Sequence, residues 1–185
     1  EILHNNASIT ATTSSDPKAF FEPLETYSLD AWREVMSVNI DGMFLVAQAV
    51  GKQMVKQGRG GSIIQTASIY GIMGSDQRIY EGSDYLGRKI NTPAAYSTSK
   101  AAVVGLTKHL ATYWADKKIR VNTLTPGGVE SGQNEEFIKR YSARIPMNRM
   151  AEQDEMVGAL IFLASDASSY VTGQNLIVDG GLEAW

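Results

Sequence analysis

Residues 94–128 read AAYSTSKAAVVGLTKHLATYWADKKIRVNTLTPGG, and the order of patterns within them decides the fold class. Ala101, Ala102, Val104, Gly105, Leu106 and Leu110 give the stretch from Ala94 to Asp116 a helical pattern. Ile119 to Leu124 then has the length and branching of a buried strand, stopped by Pro126-Gly127-Gly128. The same alternation extends in both directions. Upstream, Ser62 to Thr66 reads as a strand entered through Gly58-Arg59-Gly60-Gly61. Before it, Ser28 is placed to cap one long helix from Leu29 to Lys56, with Asp30 in its first turn and Trp32, Val35, Met36, Ile40, Met43, Phe44 and Ala47 at 3-4 spacing. Ile2-Leu3-His4 is a short apolar run ending at Asn5-Asn6, and Ala11 to Asp16 is a polar loop. Downstream, Ser131 to Asn148 is polar with short helices, Asp154 caps a helix over Met156 to Leu163, and Asn175 to Val178 is a last strand closed by Asp179-Gly180-Gly181. Strands separated by helices pair in parallel through right-handed crossovers. The expectation is a single α/β domain over 1–185 with a parallel sheet.

Composition narrows the function classes. The 185 residues hold 17 Lys plus Arg against 20 Asp plus Glu, a net charge of -3, with no basic stripe of the kind a phosphate backbone requires. That argues against nucleic acid as a partner. Cysteine is absent, which rules out disulfides and thiolate chemistry and fits a reducing, cytoplasmic setting. His4 and His109 are far apart and form no HExxH-like pair, so no metal site is expected. No apolar run approaches the roughly 18 residues of a membrane span. Glu1 to His4 reads as an element already under way, so part of the domain is expected upstream.

Tyr96 and Lys100 stand four residues apart on a helix, which places both side chains on one face. A phenol is a poor base near neutral pH, and a neighbouring ammonium would favour the phenolate. Tyr96 is therefore a candidate proton donor and acceptor, although a solvated Tyr/Lys face would give the same spacing. In open parallel sheets, ligands bind beyond the carboxyl ends of the strands. Asn5-Asn6-Ala7, Ser68 and Pro126-Gly127-Gly128 fall at those ends. Asn39 interrupts the apolar face of the Leu29–Lys56 helix, where an amide needs a partner; satisfying backbone groups is the alternative reading.

Taken in order, these motifs resemble the short-chain dehydrogenase/reductase family, in its branch of short single-domain subunits. Asn5-Asn6-Ala7 resembles its NNAG segment, Val38-Asn39 its helix Asn, Thr66-Ala67-Ser68 its strand-end Ser, and Tyr96 with Lys100 its YxxxK pair. Pro126-Gly127 resembles its cofactor loop. Tyr170-Val171-Thr172-Gly173-Gln174 and Val178-Asp179-Gly180-Gly181 are similar to its C-terminal signature. The resemblance implies a Rossmann-type doubly wound sheet, of which the C-terminal part lies in this chain, and hydride transfer between NAD or NADP and a secondary alcohol or ketone. It assigns proton transfer to Tyr96, pKa lowering and ribose binding to Lys100, the substrate oxygen to Ser68 and a relay water to Asn39. Asn5, Asn6, Ala7, Pro126, Gly127, Val129 and Ser131 join Tyr96 and Lys100 on the cofactor side. The two long helices imply a homodimer or homotetramer.

The departures from the family pattern are informative. No GxGxxG phosphate turn occurs in the chain, and no residue that would choose NAD over NADP. Ser8 stands where the family usually has Gly, and Ser131 where a Thr often follows the Pro-Gly loop. Residues 69–95 make a gap between Ser68 and Tyr96 about twice the usual one. This substrate-side insertion reads as a long loop carrying Tyr70, Asp76, Gln77, Arg78, Tyr80, Glu81, Asp84, Tyr85, Arg88 and Lys89. Tyr70, Arg78, Tyr80 and Glu81 are its candidates for contact with a hydroxylated or charged small molecule, a sugar or nucleotide-sugar derivative. Its Ile-Tyr-Glu-Gly segment is similar to one in family members that modify bacterial surface sugars. Two other readings are a non-catalytic remnant acting as an interaction module and a sugar epimerase or dehydratase of the extended family.

Overall fold

The computed structural model describes residues 1–185, apart from the side chain of Tyr85. Four strands, β1 (Ile2–Asn5), β2 (Gly61–Thr66), β5 (Ile119–Pro126) and β6 (Asn175–Val178), form one parallel sheet in the order β1-β2-β5-β6. The register sets Asn5 beside Gln65, Thr66 beside Leu124 and Pro126 beside Val178, so the carboxyl ends lie along one edge. The sheet is covered on both faces. Ile63 packs with Ala47, Met54, Leu110 and Trp114 on one side, whereas its neighbour Ile64 packs with Leu124 and Leu163 on the other. Successive side chains of a strand point to opposite faces, so a strand buried on both reads as a continuous apolar run.

The first covered face belongs to α3 (Met43–Gln57) and α4 (Ala94–Tyr113), the second to α6 (Val157–Ala164). The helix expected as one piece from Leu29 to Lys56 is instead three. α2 (Leu29–Met36), capped by Ser28 as expected, passes into a π-helical stretch, Ser37–Gly42, before α3 resumes. A π stretch widens the backbone by one residue and commonly marks a functional site. Here it turns the fully buried Asn39 amide onto other elements. One further correction concerns a cap. The helix over 156–163 starts from a capping box of Glu152 and Glu155, not from Asp154, because the Glu155 carboxylate takes the Glu152 N–H at 2.8 Å. In the stretch read as polar, α5 (Glu135–Ser142) is capped by Asn134, whose Oδ1 accepts the Phe137 N–H at 2.8 Å.

Residues 69–95, expected as a long inserted loop, are not structureless. They hold a 3-10 turn at Ile69–Gly71, another at Gln77–Tyr80 begun by Asp76, and a hairpin of β3 (Asp84–Tyr85) with β4 (Arg88–Lys89). Leu86 and Gly87 both have positive φ, as a two-residue hairpin turn requires. A short helix, α1 (Pro17–Phe20), capped by Asp16 through the Lys18 and Ala19 N–H groups, follows the loop after β1 and was not expected.

Candidate active site

Three elements carry the candidate side chains to the sheet edge. β2 ends at Thr66, and Ser68 follows in extended conformation to begin the Ile69–Gly71 turn, accepting the Tyr70 N–H at 3.3 Å. Tyr96 lies in the first turn of α4, and Lys100 one turn further on. The Lys100 ammonium is 5.8 Å from the centroid of the Tyr96 ring and donates to the Thr66 carbonyl at 3.1 Å. The same backbone region is clamped from the insertion side. A Cβ on Gly71 would lie 2.6 Å from the carbonyl carbon of Lys100, so only glycine lets the turn sit this close to α4.

Ser68 and Tyr96 stand where two cavities meet. The larger, about 660 Å³, lies under the insertion and α5; the other, about 500 Å³, lies over the ends of β1, β2 and β5. Asn6, Ala7, Lys100, Pro126 and Gly127 line the second, and Val129 lines the first. Among the expected cofactor residues, Asn5 and Ser131 reach neither. Asn5 is buried and ties β1 to α3 and β2, donating to the Met43 carbonyl at 2.8 Å and to Gln65 Oε1 at 3.0 Å. Ser131 is exposed and paired with Gln133.

Burial, not the neighbouring ammonium, dominates the phenol. It pushes the Tyr96 hydroxyl above its ordinary value, while the Ser68 hydroxyl pulls it back. This differs from the expected lowering by Lys100. The reason is geometric: the ammonium sits over the ring and is tied to Thr66. Lys100 is itself only 3% exposed, and burial lowers its ammonium to about 8.

Asn39 is not in either cavity. Its Oδ1 accepts the Ile9 N–H at 2.8 Å and the Ser8 hydroxyl at 3.1 Å, and its Nδ2 donates to Ser99 Oγ at 3.0 Å. Ser99 in turn donates to the Tyr96 carbonyl at 2.7 Å. One buried amide thus joins the loop after β1 to the turn that carries Tyr96. Ser8 contributes its hydroxyl to this cluster without a left-handed backbone, so the departure from Gly brings no strain.

Of the four insertion residues, Tyr70 and Tyr80 line the larger cavity, whereas Arg78 and Glu81 do not. Arg78 is paired with Asp76 at 2.8 Å, and Glu81 with Arg140 of α5 at 2.9 Å. Both therefore fasten the insertion and do not line the cavity. Sequence reading missed Thr92, Phe137 and Tyr141, which also line the cavity. The four-residue spacing of Phe137 and Tyr141 on a short amphipathic helix was the available signal.

A family model described as Enoyl-(Acyl carrier protein) reductase matches residues 1–183. The chain is 38% identical over 188 residues to a D-arabinitol 2-dehydrogenase (ribulose-forming) of Candida tropicalis, covering 97% of this chain and 61% of that one. It superposes with a TM-score of 0.85 on the crystal structure of a short chain dehydrogenase from Leptospira borgpetersenii with bound NAD+, at 38% identity over 98% of this chain and 64% of that one. A gluconate 5-dehydrogenase from Burkholderia cenocepacia, in complex with NADP and tartrate, gives a TM-score of 0.83 at 36% identity, covering all of this chain and 65% of that one. The chain belongs to the short-chain dehydrogenase/reductase family, and its parallel sheet is the Rossmann-type architecture of that family. It spans about three-fifths of the length of the curated relatives it matches.

Proposed function

We propose that the protein carrying this chain is an NAD(P)-dependent oxidoreductase that interconverts a secondary alcohol and a ketone on a sugar alcohol or related sugar derivative. The observation that carries this reading is the meeting of Ser68 and Tyr96 at the junction of two cavities, with Lys100 in one of them. The names of relatives that are arabinitol, galactitol and threitol dehydrogenases support a polyol, and those of the gluconate dehydrogenases support only the wider class of sugar derivatives. We read residues 1–185 as one domain and 69–95 as its substrate-side insertion.

The second cavity fits the nicotinamide-ribose end of a dinucleotide by its donor set. An ammonium has three N–H donors, and Lys100 gives one to Thr66, leaving two for ribose hydroxyls. Asn6, Ala7, Pro126 and Gly127 would flank that ligand, and Val129 its carboxamide side. When bound, the nicotinamide supplies the hydride donor or acceptor. The chain's own part is the proton. Ser68 holds the substrate oxygen, the neutral Tyr96 phenol gives its proton to the developing alkoxide in reduction, and the phenolate takes it back in oxidation. Asn39 acts by positioning the Tyr96 turn.

A phenol is protonated at neutral pH and burial pushes Tyr96 further in that direction, so ketone reduction runs best near neutrality and alcohol oxidation gains as pH rises. Initial rates of nucleotide-linked turnover of the full-length protein, on four- to six-carbon polyols and ketoses between pH 6 and 10, test this. Absence of turnover in both directions with both nucleotides refutes it.

Phe44, Leu45 and Val55 of α3 and Tyr113 of α4 are exposed. They support the reading that these helices pack between copies in a homodimer or homotetramer. The cysteine-free composition supports a cytoplasmic location. No helix among the described residues is long and apolar enough to cross a membrane.

A further inference from the structure

The larger cavity has an aromatic wall and almost no charge. Tyr80 of the insertion stacks on Phe137 of α5 at 5.4 Å with 26° between ring planes, and Phe137 meets Tyr141 at 5.5 Å. The Tyr80 hydroxyl bonds to Thr92 Oγ1 at 2.7 Å, and Thr92 is tied back to Gln77 through its N–H at 3.1 Å and its carbonyl at 3.2 Å. Arg140 bridges the outside of this wall, reaching Glu81 at 2.9 Å and the Arg78 carbonyl at 3.3 Å. Asn134 and Ser83 add a hydrogen bond at 3.1 Å. The wall is therefore held from both sides.

None of the cations around it is among its described lining residues, although Lys89 stands opposite Asp84 in the hairpin register and Arg144 buries one guanidinium nitrogen near Tyr70 and Tyr141. Arg78 is paired with Asp76, Arg88 with Glu22, and Arg140 with Glu81 and Glu136. Arg144 approaches Asp76 at 3.6 Å behind the wall. Among the described residues lining the cavity there is no Lys, Arg or His, and Asp84 is the one carboxylate. The remaining polar lining is hydroxyl and amide, Ser68, Thr10, Thr92, Asn91, Gln133 and Asn134 among it. Hydroxyls and amides pair with substrate hydroxyls, and aromatic faces pack on a carbon chain. A carboxylate or phosphate would meet no cation among the described lining residues and one like charge, the Lys100 ammonium lying in the adjoining cavity and tied to Thr66. Like-charge juxtaposition at a binding surface is a strong source of discrimination.

We infer that this cavity selects a neutral polyhydroxylated substrate over an anionic one, and that Asp84 is a specificity-determining residue that disfavours aldonates and sugar phosphates. The inference rests on the dehydrogenase reading above and adds the charge class of its substrate.

The test compares kcat/KM of the full-length protein on four- to six-carbon polyols with that on the matching aldonates, at fixed pH and ionic strength. The wild type is expected to favour polyols by ~10-fold or more. Asp84 lies on the exposed hairpin, where substitution leaves the core untouched. Asp84→Asn is expected to narrow the preference by roughly threefold or more, through KM for the aldonate, and Asp84→Lys to narrow it further. Equal turnover of both classes, or a preference unmoved by either substitution, overturns the inference and leaves the oxidoreductase reading standing. No nucleotide-linked turnover of any secondary alcohol or ketone removes that reading, and the inference with it.

Discussion

Lys100 is a buried ammonium whose contacts are one carbonyl and one ring face. Burial brings it from 10.5 to about 8 in the folded chain. Between those two values the unfolded chain binds more protons than the folded one, so this residue makes stability rise with pH from 8 to 10.5 and is a liability below 8. The full penalty at pH 7 is about 3 kcal/mol. Lys100→Met removes it but leaves the Thr66 carbonyl unpaired. The variant is expected to be more stable by about 2 kcal/mol at pH 7 in urea unfolding, with the difference shrinking toward pH 10, while losing activity. A variant less stable than the parent at pH 7 would mean that the ammonium has a counter-charge. That such a residue is kept is itself an argument for function, since a structural role would be better served by an apolar side chain.

At the scale of elements, the site depends on how closely the Ile69–Gly71 turn approaches α4. In Gly71→Ala the added carbon would meet backbone atoms of Lys100 and Ala101 at 2.6 to 2.8 Å, and backbone of a helix cannot step aside as a side chain can. The expected result is a loss of about 2 kcal/mol in stability and a lower kcat, because Ser68 begins the displaced turn. Unchanged unfolding and turnover would show that the contact is not tight. The sheet and its helices were legible in the sequence because the strands are short segments rich in branched apolar residues between Gly or Pro breaks, as in Ser62 to Thr66 and Ile119 to Leu124, and the long helices carry 3-4 spacing. The insertion was not legible. Its turns are held by partners distant in sequence, such as Asn91 donating to the Phe21 carbonyl at 2.8 Å, and its hairpin places Leu86 at positive φ, where sequence reasoning looks for Asn or Gly. The π stretch was hidden for a similar reason: Asn39 signalled a polar partner, but not that the helix would widen to deliver it.

For the molecule as a whole, a parallel sheet buried on both faces brings Ser68, from the end of one strand, against Tyr96, from the start of the next long helix. The candidates Ser68, Tyr96 and Lys100 were named from their order along the chain, and the fold gathers them where two cavities meet. Those that shape the larger cavity, Tyr80, Phe137 and Tyr141, became evident only when the insertion and α5 were seen to close over it. The account's central claim is that the Tyr96 hydroxyl carries the proton. Its most direct test is Tyr96→Phe in the full-length protein, which removes one oxygen and keeps the ring. The account predicts that kcat for nucleotide-linked alcohol oxidation falls by ~10²-fold or more, with unfolding in urea close to that of the parent. Turnover within roughly threefold of the parent would contradict it, since general acid-base catalysis is worth far more than that.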